Sequence, residues 1–227
     1  MARKVYTQCS LDIPTIREAM TMAQGAVNAG IDWLEAGAPL ILGDGVHALE
    51  HLHAAFPDKP IVADLKTMDG AGLEAEMMLK AGATHVVVMA QAHWASAVEM
   101  VKMAKDYGGQ VMADLMNTPD KAEAAERMQE LGVDWIILHT GFDERNHVPG
   151  LSPLNELEAV LNAVELLVQA VGGLSIDQAV RCVELGASSL VIGAPPAVCA
   201  DRFAIGEEFE SILRQVVARV HAIPGCV

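Results

Sequence analysis

Acidic residues, a lysine and a histidine stand directly after short apolar runs in this sequence, a placement suited to proton transfer and cation binding. Asp12 follows the run at 5–11, Glu35 lies in IDWLEAG, Asp64 and Lys66 in VADLK with Asp69 just beyond, Asp114 in VMAD and His139 in WIILH. If these side chains share one mouth, their carboxylates repel one another unless something organises them. Glu35, Asp64 and Asp114 are oxygen donors that suit a hard divalent cation, magnesium being the natural one, with waters and substrate completing an octahedron. Alternation along an extended segment puts Asp64 and Lys66 on the same side. His139 carries an imidazole, a group that can move a proton. Plainer readings stand beside these: an Asp after a strand often caps the next helix, and a rim histidine can be satisfied by a carbonyl. A lone acid is best read as a cap, but Asp64-Leu65-Lys66-x-x-Asp69 favours function.

The elements that must position these groups can be read from glycine. A helix end in Ala-Gly or Leu-Gly, followed by an apolar run, recurs at Gly30, Gly82, Gly132 and Gly186, spaced by 52, 50 and 54 residues. Glycine at a helix C-terminus followed by β-branched residues marks a helix passing into a buried parallel strand. Each repeat therefore holds two βα units. The remaining strands are expected at 5–11, 60–65, 110–115 and 166–171. Helices are expected at 16–29, 45–55, 73–81, 95–107, 121–131, 154–163, 176–185 and 207–221. Strict alternation without a linker predicts a single (β/α)8 TIM barrel over 1–227, with an open doubly wound sheet as the alternative.

In such a barrel the active site is built at the C-terminal strand ends. Strand four offers Gln91 and His93 there. Gly172 and Gly173 after strand seven, with Gly193 and Ala194 after strand eight, offer backbone donors where barrels of this kind often seat a phosphate. His47, His51 and His53 have metal-like spacing on one helix but read as a solvated face, and Met77-Met78 reads as core filler.

Composition narrows the partners. Fifteen Lys and Arg against 30 Asp and Glu give a net charge of -15, which opposes binding to nucleic acid or an anionic membrane. An anionic substrate must then be held by backbone N–H groups, a metal and a few local cations. Cys9, Cys182, Cys199 and Cys226 lack metal-binding spacing and read as isolated thiols, consistent with a reducing, cytoplasmic setting. Neither a signal peptide nor an 18-residue apolar run is expected.

The segments DLKTMDGAGLEAEMMLKAGA at 64–83, EAGAPLI at 35–41 and HTGFDE at 139–144, with the Asp12 strand end, resemble hexulose-6-phosphate synthases. That resemblance covers nearly the whole chain and extends to the group sharing the orotidine monophosphate decarboxylase barrel, which includes ketogulonate-phosphate decarboxylase. It implies a homodimeric, magnesium-using lyase, acting through an enediolate on a sugar phosphate and a small aldehyde, ribulose 5-phosphate and formaldehyde. By the resemblance Glu35 and Asp64 hold the metal, Lys66 supports the developing oxyanion, and Asp69 reaches into the partner's site. Asp114 matches the acid after strand five, and His139 the proton-transfer histidine. Asp12, Gly172, Gly173, Gly193 and Ala194 are the expected substrate contacts. Phe142 stands where the decarboxylases place an arginine, three residues after the histidine, and with Asp143 it follows the synthases' Gly-x-Asp run, so aldol chemistry ranks above decarboxylation of a keto-sugar-acid phosphate. The Gly193-Ala194-Pro195-Pro196 sequence departs from the group's usual pattern, removing an accessory cation and an N–H donor. It motivates a third alternative, a sugar-phosphate-binding barrel without turnover.

Overall fold

The computed structural model describes residues 3–194 and 207–226. Eight strands follow the expected positions: β1 (Tyr6–Leu11), β2 (Trp33–Ala36), β3 (Ile61–Thr67), β4 (His85–Met89), β5 (Gln110–Asp114), β6 (Trp135–His139), β7 (Leu167–Val171) and β8 (Ser189–Ala194). They pair in parallel in chain order, and β8 closes onto β1 to complete a barrel. The open-sheet alternative is thereby excluded.

Helices α1 (Ile16–Ala29), α2 (Ala38–Asp44), α3 (Val46–Ala55), α4 (Ala71–Lys80), α5 (Trp94–Tyr107), α6 (Lys121–Glu130), α7 (Phe142–His147), α8 (Leu157–Ala163), α9 (Ile176–Leu185) and α10 (Glu207–His221) lie between and after the strands. Helix α1 shows how local sequence sets such an element. Thr15 caps its first turn by accepting from the Glu18 amide, and Gly30 ends it at φ +91°. Between these caps Ala19, Met22, Ala23, Ala26 and Ala29 recur at helical spacing and are buried. Two helices were not expected from sequence. Helices α2 and α7 are short, and the glycines and proline around α2 read as a loop. The predicted helix at 154–163 instead opens with a 3-10 turn at Pro153–Asn155, after which α8 begins.

Alternation divides the apolar residues between two cores. One fills the space between sheet and helices. The other lies inside the barrel, where Trp33, Val62, Val87, Met112, Trp135 and Ile137 pack together. Its lower end is an aromatic plug made by strand-opening residues, with the Trp33 ring 4.7 Å from Tyr6, 4.5 Å from His85 and 5.0 Å from Trp135. The plug closes the N-terminal end, leaving the opposite mouth open. No helix among the described residues is long and apolar enough to cross a membrane.

Candidate active site

The same alternation that points Val62, Val87 and Ile137 inward brings polar residues to the upper layer. A cavity of about 850 Å³ at the C-terminal mouth is lined by Asp12, Glu35, Asp64, Lys66, Asp114 and His139, together with Gly172, Gly173 and Gly193. Four strands and the turn after β1 thus gather these acids, the lysine and the histidine, whereas Asp69 does not line the cavity. Ala194 ends β8 in register with Leu11; Pro195 and Pro196 lie outside the described residues.

Strand β3 reaches the mouth through an irregularity. Its pairing with β4 shifts register between Ala63 and Thr67, and Lys66 takes φ +49°, a left-handed conformation uncommon for a residue with a side chain. Such local strain is held by surrounding structure and clusters at functional sites. Here it sets the Lys66 ammonium against Asp64 and 4.0 Å from Asp114. Burial opposes the charged lysine, but Asp64 and Asp114 prevail and raise its pKa above the ordinary value. Lys66 is therefore a fixed cation, unsuited to nucleophilic attack. In the Asp64-Leu65-Lys66-x-x-Asp69 motif, Asp69 is exposed within one chain, and Asp114 is the second acid near the lysine.

His139 and Asp114 form a hydrogen-bonded pair of a kind suited to proton transfer. The imidazole Nδ1 lies 2.8 Å from Asp114 Oδ2, while the Met116 amide donates to Oδ1 at 2.8 Å. Although burial would raise the Asp114 pKa, His139 and Lys66 hold it below the ordinary carboxylate range. The ionised carboxylate accepts the Nδ1 proton, so Nε2 is the nitrogen left to act as a base.

Glu35 is buried and held by two residues that the sequence reading passed over. Gln8 donates to Oε2 and Ser10 Oγ to Oε1, the latter at 2.6 Å. Gln169 in turn donates to Gln8 Oε1 at 2.8 Å and to Ser189 Oγ at 3.1 Å. Inward alternation on β1 and β7 was the signal that could have identified them. Burial, followed by repulsion from Asp64 and Asp12, pushes the Glu35 pKa up to about 8. Asp12 is also raised, chiefly by burial.

These acids fit a hard cation. Asp64 Oδ1 is buried with no hydrogen-bond partner among the described residues, and the repulsion that raises Glu35 is what a bound cation would relieve. No ready-made cluster of three or more His, Cys, Asp or Glu ligands occurs among the described residues, so waters or substrate would have to complete the shell.

Other polar candidates have ordinary tasks. Gln91 donates to the Met116 carbonyl at 3.0 Å, and His93 caps α5 by accepting from the Ala95 amide. His47 pairs with Glu50 on the surface, and His51 contacts the His47 carbonyl. Cys9, Cys182 and Cys226 are free thiols, whereas Cys199 lies outside the described residues.

The orotidine 5'-phosphate decarboxylase / HUMPS family model matches residues 6–190. The chain belongs to this family. It is 32% identical over 206 residues to the 3-hexulose-6-phosphate synthase of Mycobacterium gastri, covering 91% of this chain and 98% of that one. The synonymous protein of Methylomonas aminofaciens is also 32% identical, over 92% of this chain and 99% of its own. A crystal structure of 3-hexulose-6-phosphate synthase superimposes with a TM-score of 0.85 at 29% identity, covering 95% of this chain and all of the other. The family relationship makes this chain an enzyme of the lyase type.

Proposed function

We propose that this HUMPS-family enzyme joins formaldehyde to ribulose 5-phosphate by an aldol addition, and cleaves the product in reverse. The carrying observation is the His139–Asp114 pair beside a permanently charged lysine in the barrel mouth; resemblance to the named synthases supports the choice of substrates.

His139 Nε2 removes a proton from C1 of the ketose, and that bond's electron pair forms the C1–C2 double bond of an enediolate. Lys66 stabilises the negative charge developing on the C2 oxygen. The enediolate C1 then attacks the formaldehyde carbon, and the resulting alkoxide takes the proton held by His139. Asp114 keeps the imidazole in the required tautomer throughout. Glu35 and Asp64 would hold magnesium, which supplies Lewis-acid polarisation of the ketose carbonyl.

The same family includes decarboxylases, and the enediolate is accessible by carbon dioxide loss from a keto-sugar-acid phosphate. Phe142 and Asp143 following the histidine favour the aldol reading.

The active form in this reading is a homodimer. Asp69 is exposed two residues beyond β3, and Met68, Leu73 and Trp94 are exposed as well, as is Met77, which was expected in the core with the buried Met78. Exposed apolar side chains of this kind suit contact with a second copy, where Asp69 would enter the neighbouring mouth.

The test is to titrate magnesium and ribulose 5-phosphate with and without formaldehyde. Formaldehyde consumption that requires both other components supports synthase activity. No consumption, together with carbon dioxide release from a keto-sugar-acid phosphate, would replace it with decarboxylation.

A further inference from the structure

The mouth contains a second cation that the mechanism does not use. Arg145 belongs to α7, the short helix that begins three residues after His139. One helical turn places it near Phe142, and its guanidinium carbon lies 5.0 Å from that ring's centroid. Lys66 and Arg145 are the Lys and Arg side chains lining the cavity among the described residues. Lys66 is engaged by Asp64. Arg145 makes no ion pair among the described residues.

Its position is tied to the backbone after β7. A β-carbon at Gly173 would lie 2.6 Å from Arg145 Nε and 2.8 Å from Cζ and Nη1. A side chain at 173 could not coexist with this guanidinium position, and the residue's φ of +62° independently favours glycine. The close approach puts a planar cation against Gly173, the residue after Gly172. Neither amide donates to another group among the described residues.

We propose that Arg145 binds the phosphate group of the sugar phosphate, jointly with the Gly172 and Gly173 amides, and selects phosphorylated over unphosphorylated ketoses. This inference rests on the proposed sugar-phosphate substrate. A phosphate dianion entering a mouth containing Asp12, Glu35, Asp64 and Asp114 requires local positive charge. Directly after Gly193 the sequence Ala194-Pro195-Pro196 carries none, and Arg202 lies outside the described residues. Arg145 offers planar donors matched to phosphate oxygens. Burial lowers its pKa from the ordinary value, opposed by Asp12; an anion would compensate its partial desolvation.

The test compares the magnesium-supplied enzyme with its Arg145→Gln and Arg145→Lys variants. Inorganic phosphate, titrated by calorimetry and as a competitive inhibitor, probes the subsite directly. Arg145→Gln should weaken phosphate about 10- to 100-fold and raise KM for ribulose 5-phosphate by a similar factor. Its kcat should stay within about two-fold, with Arg145→Lys recovering part of the loss. Binding of unphosphorylated ribulose should change little. Unchanged phosphate affinity in Arg145→Gln overturns the assignment, as does a fall in kcat with unchanged KM. Thermal melting of each variant checks the fold, and Arg145→Lys retains the charge if the glutamine variant is unstable. Failure of the parent enzyme to consume formaldehyde would defeat the aldol reading, whereas the phosphate titration would still decide the role of Arg145.

Discussion

One hydrogen bond joins Asp114 to His139 across neighbouring strands, and it determines which imidazole nitrogen faces chemistry. Both residues were visible in the sequence as polar ends of apolar runs. Their pairing was not, because it depends on the register that sets Asp114 opposite Ile137, two residues before the histidine. Replacing Asp114 with Asn keeps the size but removes the charge that favours the Nδ1–H tautomer. We expect kcat to fall about 100-fold with KM little changed, within the usual contribution of a positioned general base. Steady-state kinetics on a variant with an unaltered circular dichroism spectrum would check this; near-normal kcat would mean the carboxylate is not needed. Gln8, Ser10 and Gln169 were harder to read because uncharged polar residues inside strands carry little chemical signature, and only barrel closure gathers them around Glu35.

At the scale of elements, repeated glycines and apolar runs made the strands legible, whereas the short α2 and α7 appeared only in the fold. Helix α2 packs tightly against the segment after β1. A β-carbon added at Gly43 would lie 2.0 Å from the Pro14 carbonyl oxygen, so Gly43→Ala must displace one segment. We expect a loss of about 1–3 kcal/mol in denaturant unfolding, the usual range for overpacking. The aromatic plug makes a separate prediction about pH. Burial lowers the His85 pKa from 6.5 to about 4, while its Nε2 has no partner among the described residues. Between those pH values the unfolded chain binds a proton that the folded chain rejects. Folding stability should therefore fall as pH drops through that window, by about 3 kcal/mol from this residue when complete. Denaturant unfolding at several pH values should show a flatter dependence in His85→Phe. Parallel curves for the parent and variant would contradict the assignment.

Across the whole molecule, alternating inward and outward positions separate a packed lower barrel from a polar mouth. The sequence made that arrangement predictable because strict βα alternation allowed strand ends to be located before any distances were known. Assembly was less legible: Asp69 is solvent-facing in one chain, so its participation depends on a second copy. Mixing inactive Asp69→Ala and His139→Ala chains should recover part of the activity, since one mouth of a mixed dimer would have both residues intact. Sedimentation must first establish that mixed dimers form; mixed dimers without activity would remove Asp69 from the neighbouring site.

Proton exchange most directly tests the mouth as a site for enediolate formation. Ribulose 5-phosphate incubated with the magnesium-supplied enzyme in deuterated water, without formaldehyde, should exchange a C1 hydrogen visibly by proton NMR. In His139→Asn the exchange rate should fall by about two to four orders of magnitude, the usual range for a positioned base. Undiminished exchange in that variant would contradict His139 as the base, and no exchange with the parent enzyme would contradict C1 deprotonation itself.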